Sequence, residues 1–395
     1  MQHHYAQRVQ SFASSATRKL FDMTISSDVI SVAGGNPDLS LLPAGRLAST
    51  ASELVSGSIG QVLQYGATGG RDGYKLAAQR AMAAEGIAAD TSEILALSGS
   101  QLGLELATKV FCDPGDVILT EDVAYPGALS SFLAYETVVD HVACDAEGVR
   151  PEAFAEAIAA HRSAGRAMKL FYTVPNFHNP AGRTTSLERR LALIELCREH
   201  GILVLEDNPY GLISFGAAPL PSYWELAKDI TIYLGTFSKT VAPGLRTGWL
   251  CADAESLEYL ETASEAISIC PSPLNQAIVE SFVLDDAVWE GHLATIRRAY
   301  EERRDATVSA LAEHLPEGTR WVTPTGGFYV WVDLDERYDS NEIFPRAVAE
   351  GVLFVPGRAF TVEGTHAHSL RLAYSMVAPE RLAEAVARLG RAIRG

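Results

Sequence analysis

From Leu63 onward, short apolar runs alternate with longer amphipathic stretches, and this alternation restricts the fold more than any other feature of the chain. Ile94–Leu97 precedes a helical pattern over Gln101–Phe111, Val117–Leu119 precedes one near Pro126–Ala134, and Lys169–Val174 precedes one around Leu187–His200. Ile202–Leu205, Ile230–Leu234 and Thr247–Cys251 read as further strands. Strands and helices in this rhythm indicate βαβ units and a mostly parallel sheet. After Cys251 the pattern changes to long helical segments, Ala254–Ser268 and Asn275–Leu315. Short strands near Trp321, Phe328–Val332, Leu353–Val355 and Leu370–Ala373 follow, with a closing helix Pro379–Ile393, which predicts a second, smaller α+β domain. The expected division is an N-terminal arm over 1–45 that joins the small domain, a large domain over 46–275 and a small domain over 276–395.

Several function classes are disfavoured at once. With 47% hydrophobic and 21% charged residues the chain can bury a core, unlike a disordered sequence. A net charge of −17 lacks the basic footprint of a nucleic-acid binder. No stretch approaches the ~20 apolar residues of a membrane span, and the N-terminal sequence has no apolar core of a secretory signal. The five cysteines are scattered and form no Cys-x-x-Cys pair, so neither a disulfide framework nor a zinc site is suggested. Reduced thiols in a cytoplasmic protein fit best. His3 and His4 read as a terminal tail, and His366 and His368 lie on an apparent loop without a carboxylate motif; no metal site is expected.

In open α/β sheets, ligands bind beyond the carboxyl ends of the strands, and unusual polar residues gather at five such places. Gly99, Ser100 and Gln101 join a strand to a helix, where small residues and a helix N-terminus favour an anion such as phosphate. Tyr125, before Pro126, offers a ring for stacking. Pro175 to Gly182 forms a shaped loop that displays His178 and Asn179. Asp207 closes a buried strand three residues before Tyr210, a costly placement for a carboxylate without a partner. Ser238 and Lys239 follow another strand, with Arg246 shortly after. An ordinary helix cap or turn could explain any of these alone. Only six lysines occur (Lys19, Lys75, Lys109, Lys169, Lys228 and Lys239), and Lys239 alone lies among Ser, Thr, Gly and Pro at a strand end. A desolvated lysine amine is the natural Schiff-base former with carbonyl compounds. A flat cationic ring carrying a phosphate, a phenolic oxygen and an aldehyde would use all five places. That ligand is pyridoxal 5′-phosphate.

The order of these motifs resembles the fold-type I pyridoxal-phosphate enzymes of the class I/II aminotransferase group, most closely the 2-aminoadipate and broad-substrate amino acid aminotransferases. Ser31 to Pro37, Gln64-Tyr65-Gly66, Asn179 to Gly182, Asp207 with Tyr210, Ser238-Lys239 and Arg371 on Ser369–Ala373 carry the resemblance over nearly the whole chain. It implies an α/β fold with a mostly parallel seven-stranded sheet flanked by helices in a large cofactor-binding domain. It also implies roles: Lys239 as Schiff-base lysine and proton shuttle, Asp207 on the pyridine nitrogen, and Tyr210 and Asn179 on the phenolic oxygen. Tyr125 would stack on the ring; Gly99, Ser100, Gln101, Ser238 and Arg246 would hold the phosphate, joined by Tyr65 from the neighbouring subunit of a homodimer. Gly35, Asn179 and Arg371 would receive the substrate, Arg371 as a bidentate clamp on the α-carboxylate. The implied reaction moves an amino group from an L-α-amino acid to a 2-oxo acid, with 2-oxoglutarate the expected acceptor, in a ping-pong cycle.

Two alternatives stand beside it. The same cofactor contacts could serve β-elimination, cyclisation, or an amino acid oxidase or hydroxylase. A transcription regulator with an aminotransferase-like domain would need a DNA-binding portion, for which the ~30 residues before Ser31 are too few. His178 stands where the nearest relatives often carry glutamine, which puts substrate choice and reaction type in question. Asn176 matches no motif, and Thr236 replaces a serine while keeping its hydroxyl.

Overall fold

The computed structural model describes residues 4–6, 8–9 and 28–395. His3, Lys19 and about half of the expected arm over 1–45 lie outside them. Seven strands build the main sheet: β1 (Ile94–Leu97), β2 (Val117–Glu121), β3 (Val138–Val142), β4 (Met168–Thr173), β5 (Leu203–Asp207), β6 (Thr231–Thr236) and β7 (Gly248–Cys251). Their order is β1-β7-β6-β5-β4-β2-β3. The β2–β6 pairings are parallel, and β7 runs antiparallel to both its neighbours, β1 and β6. Inner strands such as Val117–Glu121 and Thr231–Thr236 are buried throughout, as a sheet covered on both faces requires. The strand Val138–Val142 was not expected. It lies at the sheet edge and carries Asp140 and His141, so it lacks the continuous apolar run that marks the others.

Helices α1 (Ser100–Phe111) and α2 (Pro126–Ala134) follow β1 and β2, and α3 (Leu187–His200) lies between β4 and β5. The last is capped at its start by the Ser186 hydroxyl, which accepts from the Arg189 N–H at 3.4 Å, and stops at Gly201, whose φ of +66° suits glycine. A helix Pro151–Ser163, also unexpected, packs beside it. The single helical segment expected over Asn275–Leu315 is two helices, Pro273–Val283 and Asp286–His314. The break falls at Asp285, whose carboxylate accepts from the Val288 N–H at 3.2 Å and starts the second helix.

The second sheet is antiparallel: β8 (Arg320–Trp321), β9 (Tyr329–Asp333), β10 (Val355–Pro356) and β11 (Ser369–Ala373), in the order β8-β9-β11-β10. The strand expected at Leu353–Val355 is split. Val355–Pro356 joins this sheet, while Val352–Leu353 pairs in parallel with Ile30–Ser31. Further bonds anchor the segment after Ser31: the Ala373 N–H donates to Val32 O at 2.7 Å, the Ser375 hydroxyl to Asn36 O at 2.6 Å, and Arg303 pairs with Asp38 at 2.5 Å. Residues 32–38 are therefore held by β11, by the segment just after it and by the helix Asp286–His314.

Candidate active site

Strand order brings the polar strand ends together. Because β7 lies between β1 and β6, Gly248 is paired with both Leu97 and Thr236, which precede the Gly99–Gln101 and Ser238–Lys239 segments. A Cβ at Gly248 would fall 2.6 Å from Ser100 N, so only glycine permits this closeness. Gly99, at φ +87°, would likewise put a Cβ 2.3 Å from Arg246 Nη2. Ser100 and Gln101 open α1, where backbone N–H groups have no partner within the helix. The Gln101 side chain is committed elsewhere, donating to Gly127 O at 3.0 Å and to the Ser131 hydroxyl at 2.8 Å, so its main chain is what faces a ligand. Thr236 Oγ1 accepts from the Ser238 N–H at 3.1 Å and lies 2.9 Å from Ser238 Oγ, aiming that hydroxyl. The threonine thus does what a hydroxyl at that position is for.

These residues line a cavity of about 150 Å³, several times the volume of one water. Ser100, Gln101, Tyr125, Asn179 and Arg246 contribute to its wall, as do Asp207, Tyr210, Ser238 and Lys239. Asp207, the last residue of β5, is buried; its Oδ2 accepts from the Tyr172 hydroxyl at 3.1 Å, and its Oδ1 has no partner among the described residues. Burial pushes its carboxyl up to about 7, against the opposing pull of the Tyr172 hydrogen bond and the Lys239 charge. The Lys239 amine donates to Gly35 O at 3.1 Å and stands 6.0 Å from the centre of the Tyr210 ring. Burial pulls its ammonium below the ordinary lysine range. Tyr125 caps α2 with its ring against Gly127, and burial raises its phenol to about 12.

Arg371 is not part of the wall. It is buried on β11 against two residues that are, Asn179 and Tyr329. Its Nη1 donates to Asn179 Oδ1 at 2.8 Å and its Nη2 to Ala33 O at 2.6 Å, while Nε is buried without a partner. Gly35 shows why position 35 carries no side chain: a Cβ there would fall 1.7 Å from the Tyr329 hydroxyl oxygen. Gly35→Ala is accordingly expected to displace the Tyr329 ring and lower kcat/KM by about tenfold or more, the cost of a forced core overpacking, checked by steady-state kinetics beside a thermal melt.

One residue departs from the sequence reading, and the structure gives places to two others, Asn176 and Tyr65. His178 does not face the cavity. Its Nδ1 accepts from the Ala181 N–H at 3.2 Å and its Nε2 lies 3.4 Å from Glu121 Oε2. Arg183, bonded to both Glu121 and Asp122, takes up the carboxylate charge, and burial holds the imidazole down to about 4, hence neutral. Its imidazole thus braces the loop that carries Asn179. Asn176 joins Asn208 and Arg190 in a buried chain of hydrogen bonds beneath the site. Tyr65 is 74% exposed and does not line the cavity of its own chain. Conversely, Tyr329 and Tyr172 were missed; the Gly326-Gly327 pair before Tyr329 was the available signal, whereas Tyr172 is hidden within an apolar strand run.

The site fits pyridoxal phosphate on its own chemistry. The partnerless Asp207 oxygen suits a protonated ring nitrogen, the helix start with Ser238 and Arg246 suits a phosphate, and the desolvated Lys239 amine suits an aldehyde. Among the described residues no cluster of side chains could hold a metal ion.

The model of aminotransferase class I and II matches residues 27–389. The chain is similar to aromatic-amino-acid aminotransferase 1 of Thermococcus litoralis, 34% identical over 394 residues that cover 99% of this chain and 94% of the relative. Among solved structures it is similar to the kynurenine aminotransferase of Pyrococcus horikoshii, with a TM-score of 0.93 and 33% identity over 100% of this chain and 97% of the other. The α-aminoadipate aminotransferase of Thermus thermophilus, solved with N-(5′-phosphopyridoxyl)-L-leucine, gives a TM-score of 0.90 and 33% identity, covering 100% of this chain and 98% of that one.

Proposed function

We propose, from the premise that this chain belongs to the class I and II aminotransferases, the following division of labour among its residues. The enzyme is a pyridoxal-phosphate-dependent aminotransferase that moves an amino group from an amino acid to an oxo acid. The observation that carries the assignment is that a partnerless buried carboxylate, Asp207, and a desolvated amine, Lys239, line one cavity.

Bound pyridoxal phosphate supplies an aldehyde that takes amino groups and a ring that accepts electron density from the reacting carbon. Ser100 and Gln101 N–H groups, the Ser238 hydroxyl and Arg246 bind its phosphate. Tyr125 packs on the ring, and Tyr210 and Asn179 donate to the phenolic oxygen. The Asp207 carboxylate holds the proton on the ring nitrogen. Arg371 has spent two of its N–H groups on Asn179 and Ala33 and turns the rest to the substrate carboxylate. The Lys239 amine, whose pKa burial depresses, would remove the α-proton as general base and return it one position away. The acceptor that returns the cycle is 2-oxoglutarate.

Arg371→Lys tests the carboxylate assignment. A charge-assisted hydrogen bond is worth ~1.5–3 kcal/mol, so losing one arm of the fork should raise KM for any amino donor roughly 10- to 100-fold, with kcat less affected.

The same reading makes the protein a homodimer with shared sites. Tyr65, Ile59, Leu63 and Ile269 expose large apolar side chains. Gly66 hydrogen-bonds Cys270 Sγ at 3.4 Å, so the 63–66 and 269–270 segments are neighbours. Such a patch suits a partner surface, and Tyr65 on it would reach the phosphate of the other subunit. The proposed division is an arm over 1–45, a large domain over 46–275 and a small domain over 276–395; the docking of Ile30–Ser31 on Val352–Leu353 supports joining the arm to the small domain. Among the described residues no helix is long and apolar enough to cross a membrane; a cytoplasmic location is part of the proposal.

Purified protein loaded with the cofactor should change its visible absorbance on adding an amino donor and recover it on adding 2-oxoglutarate. Ammonia release or oxygen uptake without an acceptor would replace transamination with another reaction.

A further inference from the structure

We propose that Tyr329 is a positioning residue that ties the substrate-carboxylate arginine to the tyrosine at the cofactor oxygen. The inference rests on the roles given above to Arg371 and Tyr210. Tyr329 opens β9 and is paired across the sheet with Ala373, two residues from Arg371 on β11. Diagonal neighbours on one sheet face are within reach of an aromatic ring. The Arg371 guanidinium carbon lies 4.3 Å from the centre of the Tyr329 ring and 4.9 Å from that of Phe360. A planar cation held by ring faces keeps its orientation. On its other side the Tyr329 hydroxyl lies 3.2 Å from the Tyr210 hydroxyl, with the two rings edge to face at 5.8 Å. Tyr329 is itself buried, and glycine at position 35 leaves the space its hydroxyl fills.

A phenol hydroxyl both donates and accepts. When the Tyr210 proton turns to the phenolic oxygen of the cofactor, the Tyr329 proton turns to the Tyr210 oxygen. Hydrogen bonds in such a chain polarise one another, so the hydroxyl at 329 makes Tyr210 a stronger donor. A stronger donor favours the charged, deprotonated phenolic oxygen. Tyr329 therefore sets the pH at which the bound cofactor changes colour, while its ring sets how Arg371 meets a carboxylate. The two effects have separate atoms and can be separated by substitution.

Tyr329→Phe keeps the ring and deletes the hydroxyl. It should raise the pH midpoint of the cofactor's visible band by about half a unit to one unit, leaving KM for the amino donor within about twofold of wild type. Tyr329→Leu removes both, and should add a roughly tenfold rise in KM to the same midpoint shift. A structural role alone would move neither midpoint in that direction nor KM independently of it. A midpoint in Tyr329→Phe equal to wild type, or an unchanged KM in Tyr329→Leu, overturns the inference and leaves the assignment of Lys239 standing. Wild-type protein with no pH-dependent visible band overturns both.

Discussion

Lys239→Ala is expected to lower turnover by at least ~10⁴-fold, because one substitution removes both the amine that bonds the cofactor and the base that moves the α-proton. The visible absorbance of the lysine adduct should vanish, and borohydride should no longer fix the cofactor to the protein. Folding should be little affected. The amine makes a single hydrogen bond, to Gly35 O, and its burial disfavours the ammonium, so its removal relieves a desolvation cost. Small soluble amines added to the variant should restore part of the rate, since a diffusible base can replace the proton shuttle. Turnover at the wild-type rate in Lys239→Ala, or a borohydride adduct on a different lysine, would remove the assignment.

Asp207→Asn is expected to cost ~10²–10³-fold in kcat, the loss of a buried charge partner of about 3–5 kcal/mol, while stabilising the protein without cofactor. The direction of the stability change follows from the carboxyl pKa. In the unfolded chain an aspartate ionises near 3.8, whereas burial raises Asp207 to about 7. The folded protein therefore holds this proton over a window in which the unfolded chain has released it. Asp207 lowers stability progressively as pH rises from about 4 to about 7, and the full penalty persists above that. Asparagine keeps an acceptor for the Tyr172 hydroxyl and has no charge to desolvate. At pH 8 the apo-variant should melt at a higher temperature than apo-wild type, and the difference should shrink toward pH 4. A lower melting temperature at pH 8 would show that the carboxylate is already paired within the protein.

Lys239 and Asp207 both follow apolar runs that are plain in the sequence. Strands covered on both faces carry near-continuous apolar runs, so Ile94–Leu97 and Ile230–Leu234 were visible, and the residues that follow them stood out by contrast. Helices with firm stops were placed to the residue: Pro126 starts α2 and Gly201 ends α3. The edge strand Val138–Val142 escaped because an edge tolerates Asp140 and His141. Likewise the break at Asp285 was hidden, since both flanking helices share one amphipathic rhythm. At the site, Lys239 and Asp207 stood out in the sequence because a polar group at a strand end is chemically out of place, whereas Arg371, in mid-strand, was reached through the family resemblance. Tyr329 was not, for a tyrosine in a strand looks like core until the Arg371 and Tyr210 contacts are seen. His178 misled for the converse reason: its partner Glu121 is 57 positions away (178 − 121) and no local pattern announces it.

The pairing of Ile30–Ser31 with Val352–Leu353 has a consequence for how the enzyme is made. On the ribosome, all seven strands of the main sheet have been synthesised once Cys251 emerges, and with them the anion loop, Asp207 and Lys239. The first strand of the chain must then wait through about a hundred further residues for its partner, and Ala33 and Gly35 wait with it. The cavity-wall residues from Ser100 to Arg246 are thus all synthesised before Arg371, the residue proposed to grip an amino acid.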